Sequence, residues 1–270
     1  MNSMKNLTKV ICYIICLAVI CTVIIVSENS EKTAQPQSAA GESEQASSGQ
    51  TVESPHSIGG AVTQKERVGS DYFDDAVFIG DSVSKMLEYY ESEQDVLGKA
   101  QFLTSVSLSA ENAQWDVDNK YAVHPKLNGQ KMKIEDSIKS CGAKKVYIML
   151  GMNDIENLGV DDAFTVFKQL CSVITEKNPD VQLCVESLTP RVKDCKEIAG
   201  LTNETIHQYN LMLCQLCSEN GWSFINLAEV MYDDEGYLKD EYCSDVGSLG
   251  MHMTYDGCKA WVDYLCTHTP

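Results

Sequence analysis

Apolar positions along the chain change their period several times, and each change marks an element. Residues 76–79 form a short continuous apolar run that breaks at Gly80. Directly after it Val83, Met86, Leu87 and Tyr90 recur at i, i+3, i+4 and i+7, the spacing of one buried helix face. The alternation repeats downstream, with strands predicted at 101–106, 145–150, 181–185 and 222–227. Between them lie helical patterns. One runs over 133–141 and stops at Gly142, and one starts at Asp161 and Asp162 and presents Phe164, Phe167, Cys171 and Ile174. A third, capped by Thr202, presents Ile206, Tyr209, Leu213 and Leu216 and ends at Gly221; the last buries Cys258, Trp261, Val262 and Leu265. Residues 115–130 read as irregular and 231–251 as an acidic loop. Strands alternating with helices indicate a parallel sheet covered on both faces. The pattern starts near Val68, which places the folded domain at 68–270.

The N-terminal part has a different character. Lys5 and Lys9 precede an unbroken apolar stretch at 10–26, close to the shortest length that spans a bilayer. No small-x-small cleavage site follows it, so it is expected to be an uncleaved transmembrane signal anchor. Residues 1–9 then lie in the cytoplasm and the domain outside. A cleaved signal would export the domain equally. Residues 27–67 are rich in Ser, Glu, Gln, Ala and Gly; they bury too little to fold and read as a flexible linker.

Charge narrows the partners. The chain carries a formal charge of −18, of which −17 falls in residues 71–270. An acidic domain without a basic stripe argues against nucleic acid. Of the 12 cysteines, nine lie in the domain, an odd number without the spacing of a disulfide framework. Cys141, Cys171, Cys184 and Cys258 fall on apolar faces, where a thiol packs as a small hydrophobe. Cys214 and Cys217 have metal or redox spacing, but no second pair accompanies them and they sit inside a helical pattern, so no metal site is expected.

Candidate chemistry sits at loop positions that follow the predicted strands. Ser82 follows the first strand and opens a helix, where free N–H groups and the dipole favour negative charge. Asp81 beside it suits an N-cap. Gly151, Met152, Asn153 and Asp154 follow the third strand, and His252 precedes the last helix. Ester hydrolysis through serine needs a nucleophile, a base and donors for the developing oxyanion. Those residue types are present at those topological positions.

The segment Phe78-Ile79-Gly80-Asp81-Ser82 resembles the first block of the SGNH (GDSL-type) hydrolases, with Ser82 as nucleophile. Gly151-Met152-Asn153-Asp154 is similar to that family's Gly-x-Asn-Asp block, with Asn153 as an oxyanion donor. His252-Met253-Thr254 followed by Gly257 resembles its last block, with His252 as base. The resemblance runs from about Asp71 to Thr267. It implies a flavodoxin-like three-layer α/β/α sandwich with a central five-stranded parallel sheet, preceded here by the anchor and the linker.

The sequence departs from the family pattern at two places. The glycine of the second block, whose N–H also faces the oxyanion, is absent from 105–109, and Ser107 is its counterpart. The family's aspartate three residues before the histidine is replaced by Leu249. Asp245 can substitute if residues 246–250, with two glycines, fold back; otherwise His252 works as half of a dyad. Asp81, Gly151 and Asp154 are assigned supporting roles. The expected protein is an anchored, extracytoplasmic serine esterase acting on an acyl, especially acetyl, ester of a small molecule or cell-surface glycan. It needs no metal or cofactor. An O-acyltransferase using the same site, and a degenerate surface-binding module, are the alternatives.

Overall fold

The computed structural model describes residues 56–270. Five strands form one sheet: β1 (Ala76–Gly80), β2 (Gln101–Thr104), β3 (Lys145–Met149), β4 (Gln182–Glu186) and β5 (Ser223–Ile225). All neighbours pair in parallel, in the order β2-β1-β3-β4-β5. The order reverses at β1, so the crevice beyond the carboxyl ends of β1 and β3 is the place where such sheets bind ligands. β1 is buried throughout because it lies between two strands and under helices. Phe78 stacks on Phe102 of β2 and Tyr147 of β3, at ring separations of 5.3 and 4.7 Å.

Among the described residues eight α-helices accompany the sheet: α1 (Ser82–Gln94), α2 (Ala110–Ala113), α3 (Ile134–Cys141), α4 (Met152–Leu158), α5 (Val160–Lys177), α6 (Asn203–Asn220), α7 (Ala228–Met231) and α8 (Tyr255–Thr267). α1 packs with α8, while α3, α4 and α6 gather around α5. These groups are the outer layers of the sandwich. The sequence explains where the helices begin and end. Asp81 caps α1 through the Val83 N–H, Thr202 caps α6 in a reciprocal box with Thr205, and Gly142 and Gly221 close α3 and α6 in the left-handed conformation.

Four expectations are corrected. Residues 56–67, assigned to the linker, are hydrogen-bonded onto the domain: Val62 N–H donates to Phe224 O, Lys65 N–H to Thr267 O, and Asn226 Nδ2 to His56 O. Side chains join these backbone bonds: Ile58 is buried, the His56 ring stacks on Tyr232 at 4.0 Å, and Arg67 pairs with Asp263 at 2.8 Å. The largely polar composition of the stretch hides this. The segment after Gly151 is not a loop but the helix α4, which places Asn153 in a first helical turn. Phe164 is only half-buried on α5; Ala163 and Leu170 complete the apolar face instead. The acidic stretch 231–251 is partly ordered by bridges between Tyr232 and Leu238 and between Cys243 and Met253. The predicted anchor at 10–26 lies outside the described residues. Among the described residues no helix is long and apolar enough to cross a membrane.

Candidate active site

The site assembles from four segments that meet beyond the carboxyl ends of β1 and β3. β1 runs into α1 with a single residue, Asp81, between them. Ser82 is therefore the first residue of α1, and its N–H belongs to the first turn, whose donors find no partner within the helix. Its Oγ lies 2.9 Å from His252 Nε2. His252 Nδ1 in turn lies 2.8 Å from Asp245 Oδ2. Serine, histidine and aspartate thus form one unbroken relay, and all three are buried.

The acid reaches the histidine because the intervening chain folds back. Asp245 Oδ1 accepts the N–H groups of Met251 and His252 at 3.0 and 3.1 Å, and the Cys243 thiol at 3.2 Å. The turn needs Gly250, whose φ is +69° and whose added Cβ would meet Cys195 Cβ at 2.5 Å and Val192 Cγ2 at 2.8 Å. Burial opposes the Asp245 carboxylate. The bonds and charge of His252, with the thiol, outweigh it and hold the pKa down at about 2. The acid stays ionised at any pH where an ester hydrolase operates. Cys243 had no sequence signal as a partner of the acid, since its role depends on where the loop turns.

Opposite this relay, the segment after β2 is braced by the start of α4. Ser105 N–H donates to Gly80 O, and Leu108 N–H turns back to Ser105 O. Ser107, between them, holds φ at +62°, a left-handed conformation that costs a non-glycine residue about 1–2 kcal/mol. Ser107 therefore holds a backbone conformation that glycine adopts without that cost. Among the described residues nothing accepts the Ser107 N–H. The Ser107 carbonyl is held by Asn112 Nδ2 at 2.8 Å.

Asn153 and Asp154 both reach this segment. Asn153 Nδ2 lies 3.0 Å from Leu108 O and 3.2 Å from Asp81 Oδ2. Asp154 accepts the N–H groups of Ala110 and Glu111, both at 2.9 Å, and so caps α2. Burial raises the pKa values of Asp81 and Asp154 to about 6 each. Gly151 adopts φ +148°, and a Cβ there would lie 2.6 Å from the Tyr209 ring. Its glycine is demanded by packing, which brings the residue before α4 against the Tyr209 ring of α6. The Asn153 amide donates to an oxyanion only by giving up one of its present acceptors, and the weaker contact, to Asp81, is the one to release. His124 is not part of this group; it is buried and its Nε2 lies 3.1 Å from Trp115 O. Among the described residues no group of three or more His, Cys, Asp and Glu comes together as a metal site.

The model of the GDSL-like lipase/acylhydrolase family matches residues 78–260. The chain belongs to that family and is a carboxylic ester hydrolase. It is similar in fold to a candidate acylhydrolase from Bacteroides fragilis, at 15% identity, covering 70% of this chain and 83% of that one with a TM-score of 0.54. A GDSL-like lipase from Bacteroides thetaiotaomicron is likewise similar, at 13% identity over 72% of this chain and 87% of that one, with a TM-score of 0.53. No curated protein matches the chain.

Proposed function

We propose that the protein hydrolyses an acyl ester through an acyl–enzyme on Ser82. The observation that carries this reading is the relay Ser82 Oγ–His252 Nε2–Asp245, closed at 2.9 and 2.8 Å. His252 takes the Ser82 proton as Oγ attacks the acyl carbonyl, and Asp245 holds the imidazole in the tautomer that leaves Nε2 free to accept it. The oxyanion is met by the N–H groups of Ser82 and Ser107 and by the Asn153 amide, each worth roughly 3 kcal/mol of barrier. His252 then returns the proton to the leaving alcohol, and water, deprotonated by the same imidazole, releases the acid.

The substrate we infer is an acylated, especially acetylated, glycan of the cell surface. Two features support this choice. The apolar stretch at 10–26 behind two lysines suits an anchor that exports the domain, and the charge of −18 suits a neutral polymer better than an acidic one. The test is stoichiometric labelling of the full chain with a fluorophosphonate, beside Ser82→Ala and His252→Ala. Labelling of the wild type that disappears in both variants supports the acyl–enzyme; a folded wild type that takes no label sinks it. Incubation with acetylated glycans then separates free acetate, the expected product, from transfer to another sugar hydroxyl.

A further inference from the structure

Arg191 is a buried cation without an anion. The residue is 5% exposed, and among the described residues no carboxylate pairs with it. Instead the guanidinium meets three backbone carbonyls. Nε and Nη2 donate to Leu249 O at 3.0 and 2.8 Å, Nη2 also to Lys196 O at 2.6 Å, and Nη1 to Leu201 O at 2.9 Å. Burying a charge on carbonyl dipoles alone is costly, so general stability is a poor reason for it. Leu249 lies between Asp245 and His252, at the position where the family carries its acid.

We propose that Arg191 is a positioning residue that fixes the displaced acid against His252. When the acid stands seven residues ahead of the base instead of three, the chain between them has to close on itself and be held there. Asp245 closes the loop from inside: its carboxylate takes the N–H groups of Met251 and His252, and its carbonyl those of Ser248 and Gly250. Arg191 holds it from outside. Its neighbours extend the grip, since Val192 N–H donates to Gly250 O, Lys196 N–H to Ser248 O, and Gly247 N–H to Asp194 O. The clamp is itself anchored, because the Asn203 side chain at the start of α6 accepts from Arg191 N–H at 2.7 Å and donates to Arg191 O at 2.9 Å. A lysine cannot replace it fully: an ammonium lacks the planar fork that spans three carbonyls.

The inference rests on the serine-hydrolase reading above. It is tested on the full chain by second-order rate constants for fluorophosphonate labelling of wild type, Arg191→Met, Arg191→Lys, Asp245→Asn and the double variant Arg191→Met/Asp245→Asn, with a thermal melt for each. Arg191→Met is expected to label 10–100-fold more slowly, since displacement of a catalytic group by about 1 Å costs on that order. Arg191→Lys falls between. In the Asp245→Asn background the loss of Arg191 adds less than about threefold, because the group it positions is already gone. Two results overturn the proposal: a folded Arg191→Met that labels at the wild-type rate, or penalties that multiply in full in the double variant, as a merely structural role would give. Should Arg191→Met fail to melt cooperatively, Arg191→Lys in both backgrounds runs the same cycle. A wild type that takes no label overturns the Ser82 acyl–enzyme reading and this proposal with it, an outcome distinct from either of the others.

Discussion

Asp154 caps a helix to which it does not belong: its Oδ2 accepts the N–H of Ala110, 44 residues earlier in the chain, at 2.9 Å. Its other oxygen takes the N–H of Glu111. Asp154→Ala strands a buried donor at Ala110, at about 1–3 kcal/mol, and a part-buried one at Glu111, at less, whereas Asp154→Asn keeps one acceptor and loses about half as much. Urea melts check the ordering Ala below Asn below wild type. An alanine variant as stable as wild type would show that the cap contributes nothing.

Ser107 is expected to act through its backbone alone. Ser107→Ala retains the N–H and labels with a fluorophosphonate within about threefold of wild type. Ser107→Gly relieves the left-handed strain, and the release of up to about 1–2 kcal/mol is partly offset by glycine's backbone entropy. Ser107→Pro removes the donor and cannot adopt φ of +62°, and it loses labelling. A large loss in Ser107→Ala would assign the role to the hydroxyl instead.

Asp245→Asn keeps the shape of the acid but forces Nδ1 of His252 to accept in place of donating. A loss of up to about 10⁴-fold in the acylation rate is expected from the wrong tautomer, measured by rapid-mixing labelling at pH 7. A loss of less than tenfold would make His252 self-sufficient.

Glu186, at the end of β4, is a buried carboxyl whose pKa burial lifts to about 8. Its contribution to stability is fully present below the ordinary glutamate value near 4.5 and is lost as pH rises through 8. Glu186→Gln therefore changes little at pH 5 and stabilises the protein by roughly 2–4 kcal/mol at pH 9. Equal melts of both proteins at pH 9 would mean that water reaches the carboxylate.

All nine cysteines from Cys141 to Cys266 carry free thiols, seven of them buried and Cys141 and Cys195 half-exposed. Native titration with a thiol reagent is expected to show these two reacting first, and the other seven only on unfolding. A fast third thiol would point to opening of the loop that carries Cys243.

Much of this architecture was legible because it depends on local pattern. The β1–α1 junction shows in the change of period at Gly80, and α6 shows in Thr202, its apolar face and Gly221. Ser82, Asn153 and His252 stand out because each follows or precedes an element whose period is clear. What escaped depends on folded geometry. Whether Asp245 reaches His252 is decided by two glycine turns and the carbonyls around Arg191, not by spacing. Arg191 itself has no periodic signature, since its partners at 196, 201 and 249 come together only in the closed loop. The helix α4 escaped because seven residues starting Met-Asn-Asp carry turn-forming types.

The attachment of residues 56–67 has a consequence for association between molecules. β5 is an outermost strand, and the Phe224 carbonyl that points away from β4 is taken by Val62 N–H. An uncovered strand of this kind templates pairing with other chains. This protein covers it with its own polar stretch, so a chain shortened to begin at residue 68 would keep Ser82, Asp245 and His252 yet gain a tendency to aggregate through β5.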